Sequence, residues 1–173
     1  MPDRKDLILK RLREEGDKTV AYFRALPEAH AQQTVYTTGP QWHARDILAH
    51  LVSAERTMVY YGAEILRGGA GAPEDFVIDE FNAAQVAALN ATSVLELVAL
   101  FETARANTIA LVETMSDSDF DRIGRHPWFG RVPLEQMLKL VYRHTMIHER
   151  DTRKAIQTGA PVPHVDVQPL NNS

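Results

Sequence analysis

The chain has 173 residues, a formal net charge of −4 and no cysteine. A chain of this length fits one domain that buries about 70% of the surface exposed by its unfolded form, so folding needs neither disulfides nor a structural metal. The lack of cysteine excludes disulfide scaffolds, zinc–cysteine sites and cysteine nucleophiles, and the acidic balance without a basic stripe argues against nucleic-acid binding.

The N-terminal residues contain no apolar signal region, and no window of about 18 residues is uncharged and apolar throughout. We therefore expect a cytoplasmic protein that does not bind membranes. The first predicted helix runs from Asp3 to Arg24, where apolar residues recur at helical spacing and Pro27 closes the segment.

A second helix is predicted to open at Gly39-Pro40, because proline suits the first helical turn, and to stop near Gly68. The connection that follows, residues 68–92, is too long for a simple helical hairpin. It contains a short helical piece around residues 79–89. A connection of this length can carry the chain from one end of a bundle to the other, which would make the second and third helices parallel.

The third helix is predicted to start at Ser93, which forms a capping box with Glu96. Residues 116–132 form a second long connection, and little of the chain has the alternation of a strand. The fourth helix begins at Pro133 and ends before Gly159.

These four amphipathic segments predict an all-α fold, a four-helix bundle over residues 1–159. Residues 160–173 are rich in proline and have no hydrophobic period, so they are predicted to form an irregular or loosely packed C-terminal tail.

The fourth helix carries two histidines, His144 and His148, at a spacing of one helical turn. Residues four apart project from one face of a helix, and this stripe continues through the apolar residues Met137 and Val141. The two imidazoles therefore point into the core, where a polar ring needs a partner. They are either a hydrogen-bonded core pair or two ligands of one metal ion.

A third ligand is predicted at His50, in the middle of the second helix among apolar neighbours. At the rise of an α-helix, His50 lies about 15 Å from the start of its helix and His144 about 17 Å from the start of the fourth. The three rings can therefore reach one level of the bundle. His30 and His164 fall in a connection and in the tail, and His43 lies near a helix end, where a surface or capping role is expected.

Three histidines with one open position are typical of a catalytic zinc site, although imidazole also binds nickel, copper and iron. Ligand histidines usually donate their other ring N–H to a carboxylate or carbonyl. Asp46, one turn before His50, and Asp151, three residues after His148, are placed to accept these hydrogen bonds. The alternative for both acids is a solvated helix surface.

Two motifs, Trp42-x-x-x-Asp46-x-x-x-His50-Leu51 and His144-x-x-x-His148, resemble those of the DinB-like (YfiT-like) superfamily of metal-binding four-helix bundles. The segment 128–135 is similar to the family's approach to the fourth helix, and the N-terminal half also resembles mycothiol-dependent maleylpyruvate isomerase domains. The likeness covers residues 3–157. It implies an up-down-down-up bundle and a divalent metal, zinc or nickel with iron as an alternative, on His50, His144 and His148.

The resemblance also implies function: a small-thiol-dependent transferase or isomerase acting on a small electrophile. Because the chain has no cysteine, the thiol would be a cosubstrate such as mycothiol, bacillithiol or glutathione. One alternative is a hydrolase that uses metal-bound hydroxide. Another is a non-catalytic stress protein that binds a metal or a small molecule. The expected partners are a small-molecule substrate and a second copy of the chain in a homodimer.

Overall fold

Four long helices form the framework of the computed structural model, which describes residues 3–165. Residues 166–173, the greater part of the predicted tail, lie outside the described range. The long helices are α1 (Arg4–Arg24), α3 (Ala44–Leu66), α5 (Val94–Thr114) and α6 (Leu134–Thr158). The connections contain α2 (Glu28–Ala31), α4 (Ile78–Ala88), a 3-10 turn (Asp117–Asp121) and the strands β1 (Ile123–His126) and β2 (Gly130–Pro133).

Contacts between side chains fix the directions of α1 and α6. Arg4, at the start of α1, pairs with Glu135 at the start of α6, and Thr19 further along donates to Glu149. The two helices therefore run parallel.

Helices α3 and α5 also run parallel to each other. Glu55 accepts a hydrogen bond from Thr108, and one turn or two later Gly62 lies against Leu111. Gly62 is also close to Leu134, at the start of α6, so α3 is antiparallel to α6. The bundle is therefore up-down-down-up, and the predicted fold class is confirmed, with the long connection 67–93 joining the two parallel helices.

Local capping sets the helix ends. The amide of Glu96 donates to Ser93 Oγ, and the Glu96 carboxylate accepts from the Ser93 amide, so the predicted start of α5 is confirmed. At the other end of the chain, Gly159 adopts a left-handed φ of +67° and terminates α6.

The predicted start of the second helix at Gly39-Pro40 is wrong. Gly39 has a φ of +70° and forms a turn instead, and the helix begins at Ala44. The Asp46 carboxylate accepts from the amide of His43 at 3.0 Å, which caps the first turn. His50 therefore lies only about 9 Å into its helix. His43 has the capping position that was one of its two expected roles.

The hairpin of β1 and β2 was not predicted. It pairs Ile123 with Pro133 and His126 with Gly130 in antiparallel register. Residues 127–129 form its turn, and Gly130 has a φ of +67°. The strands are only four residues long, which is too short for alternation to stand out in the sequence.

The first residues of the tail pack on the bundle. Val162 exchanges backbone hydrogen bonds with the segment that precedes α3: its amide donates to Val35 O at 2.8 Å, and its carbonyl accepts from the Thr37 amide at 2.9 Å. The segment around Val35 also pairs with residues 42–44 on its other side. None of the helices described between residues 3 and 165 is both long and apolar enough to cross a lipid bilayer.

Candidate metal centre

A cavity of about 670 Å³ opens between α3, α4, α6 and the hairpin turn. Its walls are mostly apolar, and three histidines from the two antiparallel helices α3 and α6 line it. The apolar side chains that line it include Trp42, Leu51, Met58, Phe76, Phe81, Trp128 and Leu140. A concave apolar chamber with a few convergent polar groups is the usual form of a small-molecule site.

His50, His144 and His148 converge, and this is the only group of potential metal ligands found among residues 3–165. The Nε2 atoms of His50 and His148 each lie 3.0 Å from Nε2 of His144. His50 and His148 are buried, while His144 is half-buried and lines the cavity. The three side chains that were grouped from the sequence are therefore the ones that lie together in the fold.

Burial keeps these rings neutral. Desolvation, followed by the charges of His126 and His164, lowers the pKa of His144 to about 4. The pKa values of His50 and His148 lie well below the usual value for histidine, again mainly because of burial. Neutral imidazole is the form that binds a metal, so all three rings present a ligand at neutral pH.

Tyr36 supports His148 from behind. Its hydroxyl lies 2.6 Å from Nδ1 of His148 and donates to Oδ2 of Asp151 at 3.4 Å. Burial, and then the charge of Asp151, raise the pKa of Tyr36, so the phenol stays protonated. Since the phenol donates to Asp151, it accepts from Nδ1–H of His148, which leaves the lone pair of this ring on Nε2.

Asp151 is therefore near the site, but Tyr36 stands between it and His148. Tyr36 was not predictable from residue spacing, because the segment that carries it has no helical or strand period. The predicted contact of Asp46 with His50 is not formed. Asp46 is held at the helix start by His43, whose Nδ1 lies 2.9 Å from its Oδ2.

The second nitrogen of His50 has no partner among the residues that the structure describes. Its Nδ1 is buried and forms no hydrogen bond with any residue from 3 to 165. Trp42 covers the ring, with centroids 4.5 Å apart, which accounts for the tryptophan in the first motif. Buried polar atoms are normally satisfied, but on the Nδ1 side the ring of His50 is held by packing against Trp42 rather than by a hydrogen bond.

Two further histidines lie at the cavity. His126, at the end of β1, lines it, and burial lowers the pKa of His126 to about 4. His164 also lines the cavity and stacks on His148 with centroids 6.0 Å apart. His164 belongs to the predicted tail, but the pairing of Val162 with the segment before α3 brings it to the site.

Next to the histidines lies a buried ion pair that the sequence analysis did not identify. Glu55 accepts from Nε of Arg105 at 2.7 Å and from Thr108 Oγ1 at 2.5 Å. Arg105 also donates to the carbonyl of Leu12 at 2.7 Å and to Thr145 at 2.9 Å. The polar side chains of this network are all buried in the bundle: Glu55, Arg105, Thr108 and Thr145.

The histidine cluster fits a divalent metal ion. Three neutral imidazoles direct one nitrogen each toward a common point, and the hydrogen bond of Tyr36 places the lone pair of His148 on that nitrogen. Nitrogen ligands suit zinc, nickel and iron. Three protein ligands would leave one position of a four-coordinate ion for water or a substrate, as in catalytic zinc sites.

Solved structures share this fold. An uncharacterised protein from Escherichia coli UTI89 has a TM-score of 0.73 at 16% identity, covering 94% of this chain and 98% of its own. YfiT from Bacillus subtilis, described as a probable metal-dependent hydrolase with an unusual four-helix bundle topology, has a TM-score of 0.73 at 21% identity, covering 90% of this chain and 88% of its own. The colibactin self-resistance protein ClbS, solved with double-stranded DNA, has a TM-score of 0.68 at 11% identity, with coverage of 90% and 95%.

Identities this low show the common fold alone. No curated protein matches the sequence. The family model of the DinB superfamily matches residues 11–151, which is most of the chain and includes the three convergent histidines. The chain belongs to the DinB superfamily.

Proposed function

We propose that this protein is a metal-dependent enzyme that joins a small thiol to an electrophile bound in the cavity. The observation that carries the proposal is the convergence of three Nε2 atoms from residues that line a mostly apolar cavity of about 670 Å³. That volume is at the middle of the range for small-molecule sites, about 300–1,000 Å³, and gives room for an electrophile beside a thiol.

His50, His144 and His148 would hold the ion, which we take to be zinc or nickel, with iron as an alternative. A divalent ion with an open position binds and activates a thiolate, or lowers the pKa of a bound water toward neutrality. Since the chain contains no cysteine, the thiol has to come from a small molecule.

The chain's own residues would orient and enclose the reactants. Tyr36 and Asp151 fix the ring of His148 through its Nδ1, and Trp42 covers the ring of His50. The apolar walls exclude water, which strengthens electrostatic interactions inside the chamber. These residues therefore position the ligands and the substrate and do not themselves exchange protons with it.

Hydrolysis is the second candidate, and the similarity of fold to YfiT favours it, because that protein is described as a probable metal-dependent hydrolase. The two candidates share the histidine site and differ in the nucleophile. We do not propose DNA as a partner, although ClbS was solved with it, because this chain has a net charge of −4. Assembly as a homodimer stays a prediction.

Elemental analysis of untagged protein tests the site first. We expect one divalent ion per chain in the wild type and almost none in His50→Ala, whereas His30→Ala, a histidine remote from the cavity, should keep its metal. Less than half an ion per chain in the wild type, or equal content in all three proteins, would contradict the site.

Turnover then separates the reactions. Metal-loaded protein should consume a thiol in the presence of a model electrophile such as 1-chloro-2,4-dinitrobenzene, and the chelated protein should not. Metal-dependent hydrolysis of an ester without any thiol would support the second candidate instead. Tight stoichiometric binding without either reaction would indicate a sequestering protein and contradict both.

A further inference from the structure

His126 is held in one tautomer at the edge of the cavity. Its Nδ1 accepts hydrogen bonds from the backbone amides of Trp128 at 3.0 Å and Phe129 at 3.2 Å. A ring nitrogen that accepts carries no proton, so the proton of the neutral ring lies on Nε2. The turn of the hairpin therefore makes Nε2–H the hydrogen-bond donor of this side chain.

This donor has no partner within residues 3–165, where the only hydrogen bonds of the His126 side chain are those to its Nδ1. The ring lines the cavity and is only 7% exposed. It is also close enough to His144 to influence the pKa of that residue. An acceptor brought into the cavity can therefore form a hydrogen bond with Nε2–H that no residue from 3 to 165 supplies.

The charges around the cavity restrict what that acceptor can belong to. No lysine or arginine lines it among the described residues. Its two carboxylates are Glu55, which is paired with Arg105, and Asp79, which is exposed. An anion placed against the apolar walls would lose its hydration without gaining a cationic partner from the protein.

We propose that the cavity binds an uncharged, largely apolar molecule that presents one acceptor oxygen, such as a carbonyl, to Nε2–H of His126. The inference builds on the proposed function, because this molecule would be the electrophile, and it names the class of substrate. His126 is then the group that turns the substrate toward the three histidines.

Tryptophan fluorescence measures this binding directly. The chain has two tryptophans, Trp42 and Trp128, and both line the cavity. Benzamide and benzoate serve as probes, since they are nearly isosteric and differ in charge. We expect benzamide to bind at least about tenfold more tightly than benzoate to chelated protein, because the anion loses its hydration. Metal-loaded protein should bind benzamide with similar affinity.

Two substitutions separate binding from support of the turn. His126→Asn keeps an acceptor near the position of Nδ1 but lacks the distal donor, whereas His126→Gln keeps a donor near the position of Nε2. We expect His126→Asn to weaken benzamide binding about five- to tenfold, with little change in thermal stability. His126→Gln should retain more of the affinity. Wild-type affinity in His126→Asn together with weak binding in His126→Gln would show a purely structural role and overturn the inference, as would equal affinity for the two probes.

The two proposals fail independently. If the wild type binds benzamide with the expected dependence on His126 but contains no metal, the proposed enzyme function fails and the binding site stands. If the protein contains metal and turns over a thiol but the His126 variants bind benzamide as tightly as the wild type, only this inference fails.

Discussion

Two buried polar clusters lie side by side in the bundle, and they differ in how their atoms are satisfied. Around Glu55 and Arg105, both carboxylate oxygens accept and the guanidinium donates to three separate groups. In the histidine cluster, three Nε2 atoms face one another, and Nδ1 of His50 has no partner in the described part of the chain. A satisfied network needs nothing more to be stable, whereas three ring nitrogens that converge on one another are placed to bind a cation.

The difference also separates structure from function. His50 and Glu55 are five residues apart on α3, and both border the same cavity. Burial alone therefore does not distinguish them. Hydrogen-bond satisfaction does distinguish them. It predicts that substitutions in the Glu55–Arg105 cluster will mainly reduce folding stability, whereas substitutions in the histidine cluster will mainly reduce metal binding.

The largest expected effect on stability is from Glu55→Ala. Removing the carboxylate leaves the buried guanidinium of Arg105 unpaired, and breaking a buried ion pair in this way costs about 3–5 kcal/mol. Urea unfolding should show this loss. The double variant Glu55→Leu, Arg105→Met should recover most of it, because no charge stays unpaired. A loss of less than about 1 kcal/mol in Glu55→Ala would mean that this pair contributes no more to stability than an exposed ion pair does.

The next effect in size is on metal affinity, in Tyr36→Phe. This change removes the hydroxyl between His148 and Asp151 and leaves the ring in place. Loss of a partner of this kind lowers metal affinity about 10- to 100-fold, which competition with a chromophoric chelator measures. Tyr60→Phe is the matched control, because Tyr60 is 64% exposed. Unchanged affinity in Tyr36→Phe would mean that packing alone orients His148.

A third effect is the dependence of stability on pH in metal-free protein. Burial lowers the pKa of His126 and His144 to about 4 in the folded chain, against about 6.5 when unfolded. Between these values the unfolded chain binds more protons, so the free energy of unfolding falls as pH falls, by up to about 1.4 kcal/mol per pH unit for each group. This stability is complete above about pH 6.5.

Urea titrations at several pH values across this window check the pH dependence. His144→Gln should flatten the slope, since one of the titrating groups is gone, while Tyr60→Phe should leave it unchanged. A slope of zero in the wild-type protein would mean that the buried rings take up protons as readily as the unfolded chain does.

The sequence was sufficient for the bundle and for its three convergent histidines, because both depend on helical periodicity. The pair on α6 follows from residues four apart, and His50 followed from its apolar neighbours and its depth. That depth was overstated, since α3 begins at Ala44 rather than at Gly39. His50 was still the right choice, because an error of one or two turns in the helix start does not move a residue out of the middle of the bundle.

The supporting residues were not predictable by the same reasoning. Tyr36 meets His148 across 112 positions of sequence, and it lies in an extended segment without a period. His126 depends on a hairpin of very short strands. Such contacts are set by tertiary packing, which has no signature in local spacing. Asp46 illustrates the reverse case, since its spacing suggested support of His50 while its local environment made it a helix cap.

The pairing of Val162 with the segment before α3 has a consequence for how the site is completed during synthesis. All three histidines have left the ribosome before residue 162 does, yet Tyr36 sits on a segment that is bound on one side by residues 42–44 and on the other by Val162. A nascent or truncated chain that ends at Gly159 thus has every candidate ligand and lacks one wall of the segment that orients His148. Residues made after the three histidines thus finish a site to which the much earlier Tyr36 belongs.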